Sequence, residues 1–353
     1  MTQPRAPYAP LIVPLGLMAL VIAAWTAWWF WLAQAVETRL DLAAENLRAQ
    51  GWEIAYAPPA VSGWPFRVRL QTEHVRLTAP SGHAIAAPEL TAEANAYRPD
   101  RWVVAATDGL VLTRGDKGEV AVSAPVIRAS ASGLNQTFPN LALEIAEPVF
   151  TAHPGAEPFP LASAGRVEIY ARAGQYDPPG ENPVSASPAS ARDVDILFRL
   201  IDGVGRAEGP IDFMSRGGLF TLQAEATVEN FQGLSGPDAP TLLAAWTASG
   251  GRFTHVRGEM RAGDSAARLT SDALRADEDG RLVGTLSLSA DRAAPALSGL
   301  ARSDAVNRTA TTGAAAAAGA SEVLTGDVEL AVEFRDGRAW MGPFNLAPAP
   351  ELF

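Results

Sequence analysis

The sequence predicts a mainly β protein: an N-terminal transmembrane helix and stalk, followed by a long, curved antiparallel sheet with few helices. Three observations support this fold class. An uncharged apolar run covers residues 11–35, apolar and polar residues alternate in run after run beyond residue 52, and helical periodicity is scarce beyond residue 51. Alternation with a period of two is typical of strands that bury one face and expose the other.

The apolar run extends from Leu11 to Ala35 and contains no charged residue. At a rise of about 1.5 Å per residue, a helix of this length crosses the hydrocarbon core of a bilayer. Aromatic rings collect where hydrocarbon meets headgroups, and four tryptophans crowd the C-terminal part of the run: Trp25, Trp28, Trp29 and Trp31. The short tail over 1–10 favours a cytoplasmic N-terminus, a transmembrane helix over 11–35 and a body outside the cytoplasm.

A cleaved signal peptide is the alternative for the same segment. Ala33-Gln34-Ala35 resembles a signal-peptidase site. The apolar run is longer than the ~7–15 residues of a signal core, which favours an uncleaved anchor. Both alternatives export the body.

A helical stalk is predicted over 36–51. Apolar residues recur there at helical spacing, and Gly51 lies where a helix stop is expected. The transmembrane helix should therefore continue into the aqueous side, where the stalk would act as a rigid spacer.

The predicted β-rich body covers 52–353. Its alternating runs are Trp52–Tyr56, Phe66–Leu70, Leu141–Ile145, Val167–Ala171, Phe220–Val228 and Val328–Phe334. Val75 and Leu77 have the opposite parity to the run before them, which predicts a bulge or turn near Thr72–His74. Asp336-Gly337 lies between two apolar runs, which is a strong signal for a two-residue type I′ hairpin.

The segment Val61–Leu70 reads VSGWPFRVRL and combines turn and strand signals. Gly63 is predicted to form a turn, and Pro65 can begin the following strand because no ladder donor is needed there. Trp64 and Phe66 would then close the end of the core nearest the stalk. The alternative for Trp64 is an exposed contact with a partner or the membrane.

Helices and long loops interrupt the strands at a few places. Pro240–Ser249 is predicted to be helical, with Asp238 as its cap and Gly250-Gly251 as its stop. Asp193–Leu200 is ambiguous between strand and helix. The proline- and serine-rich stretch over 176–192 is a loop that could divide the body into two halves. Ala301–Ser321 is also predicted to be a loop, because Ala314–Ala318 is short and flanked by glycines.

Composition and motifs exclude several classes of function. A net charge of −11 argues against nucleic acid as a partner, because binding to phosphate needs clustered Lys and Arg. The chain has no cysteine, which excludes disulfides, thiol catalysis and thiolate zinc sites. Its histidines are dispersed and have no ligand spacing: His74, His83, His153 and His255. We therefore predict no catalytic residue, no metal site, no cofactor and no enzymatic activity.

Several segments together resemble a known family. They are GWEIAYAPPAVSGWPFRVRL (51–70), WTASGGRFTHVRGEM (246–260), DGRLVGTLSLS (279–289) and FRDGRAWMGPFNLAPAPELF (334–353). With the N-terminal span, they are similar to the domain of unknown function 2125 family, which is similar in style to membrane-anchored periplasmic proteins of the AsmA type. The resemblance implies a single-pass protein of the bacterial inner membrane with its body in the periplasm, and it implies no known activity.

Two functions remain, and they differ in what covers the apolar face of the sheet. An open face would bind lipid-like molecules, so membrane lipid is one expected partner. A sheet that seals its own core would leave a structural or scaffolding role, with envelope proteins as partners. The possible hydrophobic-ligand face lies on the cleanest alternating run: Phe220, Leu222, Ala224, Ala226 and Val228.

Overall fold

The computed structural model describes residues 9–174, 193–325 and 328–353. The helices are α1 Ala9–Ala49, α2 Pro210–Ser215, α3 Ala239–Ala248, α4 Ala293–Leu300 and α5 Arg308–Thr325. The strands before residue 175 are β1 Glu53–Ala55, β2 Ala60–Ser62, β3 Arg67–Thr78, β4 His83–Asn95, β5 Arg98–Ala106, β6 Leu110–Arg114, β7 Glu119–Ser123, β8 Val126–Ser132, β9 Asn140–Ala146, β10 Val149–Ala152, β11 Leu161–Ser163 and β12 Arg166–Ala173. The remaining strands are β13 Val194–Gly205, β14 Phe220–Val228, β15 Phe253–Ala262, β16 Ser265–Ala276, β17 Leu282–Asp291, β18 Val328–Arg335, β19 Arg338–Met341 and β20 Phe344–Pro348.

The described strands form one antiparallel sheet. β1 and β2 both pair with β3, and β3 pairs with β4. The sheet then continues in two rows, β5–β8–β9–β12 and β6–β7–β10–β11, which rejoin at β13. From β13 to β20 each strand pairs with the next along the chain. The predicted fold class, a long apolar N-terminal helix followed by a large antiparallel sheet with few helices, is confirmed.

The sheet runs without interruption across the predicted division of the body. The ambiguous segment Asp193–Leu200 belongs mainly to β13, which pairs with β12 from Arg166↔Ile201 to Ala173↔Val194. The division over 176–192 itself lies outside the described residues.

The helix α1 packs directly against the first strands. Trp29, Leu32 and Ala33 are buried with Val68 of β3 and Ala96. The helix continues beyond the apolar run and ends at Ala49. Contact with the sheet already occurs within the apolar run, at Trp29. The role of 36–51 as a rigid spacer stays a prediction.

The predicted lid at Trp64 is wrong. Trp64 and Phe66 are exposed, and β3 begins at Arg67 rather than at Pro65. The indole of Trp29 covers Val68 instead, and it arrives from a helix distant in sequence. The turn at Gly63 is confirmed: its φ is 102°, and a Cβ at this position would lie 2.7 Å from the Arg67 carbonyl oxygen.

The predicted irregularity near Thr72–His74 is confirmed at His74, which has a φ of 53°. The strand does not gain a residue there, because β3 and β4 keep one register on both sides of His74. The buried positions nevertheless change parity, from Val68 and Leu70 before His74 to Val75 after it.

The helix α3 matches its prediction closely. Asp238 is the N-cap, and its carboxylate accepts hydrogen bonds from the Thr241 amide at 3.1 Å and the Thr241 hydroxyl at 2.5 Å. The Thr241 hydroxyl, with further hydrogen bonds from the Thr241 amide and Ser81, lowers the pKa of Asp238 although its burial opposes this. The cap therefore stabilises the fold at pH values above the ordinary aspartate pKa. This contribution is lost as the pH falls through the lowered pKa of Asp238.

The loop predicted over Ala301–Ser321 is wrong, because α5 occupies most of it. Asn307 caps this helix: its side-chain oxygen accepts a hydrogen bond from the Ala310 amide at 3.0 Å. The alanines that were too few for an isolated helix are buried in two clusters against Val328, Met341 and Leu346. Tertiary packing therefore stabilises a helix that local propensity alone does not favour.

The terminal hairpin gives the first testable prediction. Asp336 and Gly337 have φ of 51° and 68°, as a type I′ turn requires, and Arg335 pairs with Arg338. Gly337→Val should destabilise the body by about 1 kcal/mol or more, because a β-branched residue is strained at positive φ. Thermal unfolding measures this. Gly337→Asn is the control, since asparagine tolerates this conformation; equal melting temperatures for both variants would contradict the turn assignment.

An apolar stripe across ten strands

The registers of the sheet align apolar side chains in rows that cross the strands. Two neighbouring rows on one face contain apolar residues and one glycine, and we call them together the apolar stripe. The first row is Val104, Ala129, Leu143, Ile169, Phe198, Ala224, Gly258, Leu269, Leu288 and Leu330. The second row is Trp102, Ala131, Leu141, Ala171, Ile196 and Ala226.

The apolar stripe is long and incompletely covered. The first row crosses ten strands, so its nine interstrand spacings of about 4.8 Å give a length of roughly 43 Å. None of the residues in either row is buried: Ile169 of the first row is 42% exposed, and Leu141 of the second row is 41% exposed. Extended apolar surfaces of this kind are uncommon on soluble monomers.

A third row on the same face is largely covered by helices. Most of its residues are buried: Ala106, Ile127, Ile145, Val167, Leu200, Leu222, Met260, Ala267, Ala290 and Val328. Ile211 and Met214 of α2 pack against Leu200, while α4 and α5 pack against the last members. The other side of the apolar stripe is covered by Trp246 of α3, which packs on Val194 and Val228.

A small apolar pocket of about 80 Å³ opens beneath α2 and α4, at the β17–β18 end of the apolar stripe. Leu288 and Leu330 belong to the first row and line this pocket from the sheet, while Met214, Leu297 and Leu300 line it from the helices. The walls are almost entirely apolar. The pocket therefore extends the apolar stripe under a roof of helices.

The five residues of the predicted ligand face have different environments. Phe220 is buried with Leu200 under α2, and Val228 is buried under α3. Leu222, Ala224 and Ala226 are half-buried between these two covered ends. The central three thus lie on or beside the apolar stripe, and the outer two belong to the core.

A wider cleft of about 800 Å³ on the opposite face of the sheet is lined by charged, polar and apolar residues, and four residues of the second row also line it: Leu141, Ala171, Ile196 and Ala226. Its charged side chains are largely paired across strands: Arg172 with Asp195 at 3.8 Å, Arg257 with Glu225 at 2.6 Å, and Arg199 with the buried Glu168 at 3.4 Å. Ion pairs along a wet face are the usual solution for an exposed sheet surface. The cleft does not concentrate unpaired charge in the way that an anion site would.

The histidines lie at separate places in the fold. The Nδ1 atom of His83 lies 3.1 Å from the Ser81 hydroxyl, and that of His153 lies 3.1 Å from a Glu119 carboxylate oxygen. Among residues 9–174, 193–325 and 328–353, no group of three His, Asp or Glu side chains is arranged to hold a metal ion.

Most of the apolar stripe was missed because it depends on register. Alternation identified β9, β12 and β14 separately, but the sequence does not show which residue of one strand faces which residue of the next. The sequence nevertheless contains a signal for these strands, because Leu141–Ile145 and Val167–Ala171 alternate as cleanly as Phe220–Val228. Treating all three runs as one surface would have located the centre of the apolar stripe.

One helix in the described part of the chain, α1, is long and apolar enough to span a membrane. Comparison with curated proteins and with solved structures returned no match. The model of a family described as "uncharacterized protein conserved in bacteria" matches residues 29–350, which include Trp29 of α1 and all the described strands of the sheet. The chain therefore belongs to the DUF2125 family of uncharacterised bacterial proteins.

Proposed function

We propose that the protein is a single-pass inner-membrane protein whose periplasmic body binds lipid-like molecules along the apolar stripe, without enzymatic activity. The observation that carries the proposal is the incomplete coverage of two apolar rows, whose residues are half-buried or exposed, between borders that helices cover. The helix α1 would hold this surface close to a supply of lipid.

The chemistry of the apolar stripe favours the hydrocarbon part of a ligand. Its side chains offer no hydrogen bond or charge apart from the single indole N–H of Trp102, which donates to the Pro99 carbonyl oxygen at 3.0 Å. Each methylene that leaves water for such a surface contributes about 0.8 kcal/mol. An acyl chain that lies across several strands would therefore bind through its length, and selectivity among headgroups should be weak.

The experiment compares two neighbouring residues of β12 that lie on opposite faces. Ile169 belongs to the apolar stripe and Tyr170 lines the cleft of the opposite face, and their exposed fractions are similar, 42% and 36%. Ile169→Glu should remove most of the lipid that co-purifies with the protein, because a carboxylate on the stripe would have to lose water when a chain binds. Tyr170→Glu should leave the lipid content unchanged. Native mass spectrometry and lipid extraction measure the content.

Two results would contradict the proposal. If the wild-type protein carries no lipid after purification in a mild detergent, lipid binding is contradicted. The scaffolding alternative, in which the sheet binds other envelope proteins, would then remain. Equal loss of lipid in both variants would show that binding does not occur on the apolar face. Both substitutions are at surface positions, so the melting temperatures of the two variants should stay close to that of the wild type.

A further inference from the structure

Three large aromatic side chains are exposed beside the place where α1 meets the sheet. Trp64 and Phe66 lie on the turn between β2 and β3, and Tyr97 lies on the turn between β4 and β5. Their exposed fractions are 52%, 66% and 62%. The two turns are neighbours, since the Ala96 amide donates a hydrogen bond to the Phe66 carbonyl oxygen at 2.9 Å. We call Trp64, Phe66 and Tyr97 the aromatic rim.

Three indole hydrogen bonds from α1 hold the two turns of the aromatic rim beside one segment of that helix. Trp25 Nε1 donates to the Pro65 carbonyl oxygen at 2.8 Å, and Trp28 Nε1 donates to the Ala96 carbonyl oxygen at 3.2 Å. Trp29 Nε1 donates to the Arg67 carbonyl oxygen at 2.7 Å. Both turns of the rim are therefore held beside the helical turn that contains these three tryptophans.

The length of the helix places that level relative to a bilayer. A hydrocarbon core of about 30 Å needs about 20 helical residues. Counted from Leu11, where the uncharged apolar run begins, twenty residues reach Phe30. The outer boundary of the hydrocarbon would thus lie within one helical turn of Trp28, and the turns bonded to Trp25 and Trp28 would lie close to that boundary.

We propose that the aromatic rim lies in the headgroup region of the bilayer, so that the body is docked on the membrane and does not stand clear of it. The inference rests on the membrane anchoring of α1 that the proposed function assumes. Indole and phenol rings are favoured at this depth, because one end of the ring system is apolar and the other makes hydrogen bonds. Trp31 of α1 is exposed at the same level and completes this surface.

The charges next to the rim fit lipid phosphates. Arg98 and Arg101 follow Tyr97 on β5, Asp100 lies between them, and all three side chains are exposed, so this segment has a net positive charge. Arg67 follows Phe66, and it pairs with Glu93 at 3.3 Å while most of its side chain remains exposed. Arginines directly beside buried or interfacial aromatics are positioned to contact headgroups while the rings lie deeper.

Docking at the rim would also bring the apolar stripe to the bilayer surface. Trp102 is the first residue of the second row, and it packs against the cluster of Trp29 and Val68 that joins α1 to the sheet. The stripe therefore begins where the helix leaves the proposed membrane boundary. An acyl chain could move from the outer leaflet onto Trp102 without crossing a wide aqueous gap.

The test uses the full chain in phospholipid vesicles of phosphatidylcholine and phosphatidylglycerol. The chain contains no cysteine, so single variants Phe66→Cys and Tyr97→Cys can each carry one nitroxide spin label. The matched control is Gln50→Cys at the end of α1, where 22 residues at about 1.5 Å each place it roughly 33 Å from Trp28. Collision rates with oxygen and with a water-soluble nickel chelate report the depth of each label.

Labels at Phe66 and Tyr97 should collide more with oxygen than with the nickel chelate, and the label at Gln50 should show the reverse. Nickel accessibility at Phe66 and Tyr97 equal to that at Gln50 would overturn the proposal, and so would failure of the chain to insert into the vesicles. The labelled positions are exposed, so unfolding is not expected, and circular dichroism of each variant checks this. The same labels in an Ile169→Glu background separate the two proposals: depth should be retained even when lipid binding on the stripe is lost.

Discussion

Trp29→Ala is expected to destabilise the body by about 3–5 kcal/mol, the usual cost of truncating a buried tryptophan. Trp29 is 6% exposed and packs on Val68, which is fully buried. Its indole N–H is also the donor to the Arg67 carbonyl oxygen at the first residue of β3. The substitution would therefore leave a cavity and an unpaired carbonyl at the junction between α1 and the sheet. Chemical denaturation in detergent, followed by the β-sheet signal in circular dichroism, measures the loss.

Trp31→Ala is the matched control, because Trp31 lies two residues further along the same helix and is 58% exposed. Its free energy of unfolding should change by less than about 0.5 kcal/mol. Equal stability of the two variants would contradict the docking of α1 on β3. Trp29→Ala also removes one of the three indole hydrogen bonds that hold the aromatic rim beside the helix, so a label at Phe66 should become more accessible to the nickel chelate.

The strands could be predicted because their signal is local. A run such as Phe220–Val228 alternates within nine residues, and the turn at Asp336-Gly337 needs only two residues of the right type. The cap at Asp238 is equally local, since it requires an acidic side chain three residues before Thr241. Each of these elements is stabilised by groups that are close in sequence, so one sequence contains enough information to place it.

The errors concern contacts between distant segments. The prediction places Trp64 at the end of the core, whereas Trp64 is exposed and Trp29 of α1 is buried with Val68 there. Helix α5 was missed because its alanines gain their stability from Met341 and Leu346 of the last strands. Gly313 contributes to the same packing: a Cβ there would lie 2.5 Å from the Phe344 ring. Neither contact can be read from local propensity.

The predicted ligand face on β14 overlaps the apolar stripe at its centre, and its outer residues lie under helices. Ala224 and Ala226 lie in the two rows of the apolar stripe, whereas Phe220 and Val228 are covered by helices. The alternation shows which side chains share a face of one strand. It does not show which part of that face another element covers, because the positions of α2 and α3 over the sheet depend on contacts with strands that are distant in sequence.

Trp246→Ala is expected to cost about 3–5 kcal/mol as well, at the opposite border of the apolar stripe. Trp246 is fully buried, its ring centroid lies 4.9 Å from that of Phe253, and its Nε1 donates to the Glu229 carbonyl oxygen at 2.7 Å. Truncation would open a cavity between α3 and the sheet. Trp246→Phe should lose less, because a ring still fills most of the space while the hydrogen bond to Glu229 is lost.

Gly251 allows the packing of Trp246 to be tested from the other side. A Cβ at Gly251 would lie 2.2 Å from the Trp246 ring, so Gly251→Ala alone should be destabilising through overpacking. In the double variant Trp246→Ala/Gly251→Ala the ring that causes the clash is absent. The double variant should therefore lose less stability than the sum of the two single losses, by about 0.5–3 kcal/mol. Strictly additive losses in denaturant unfolding would show that Gly251 and Trp246 are not in contact, and that α3 does not cover this end of the apolar face as described.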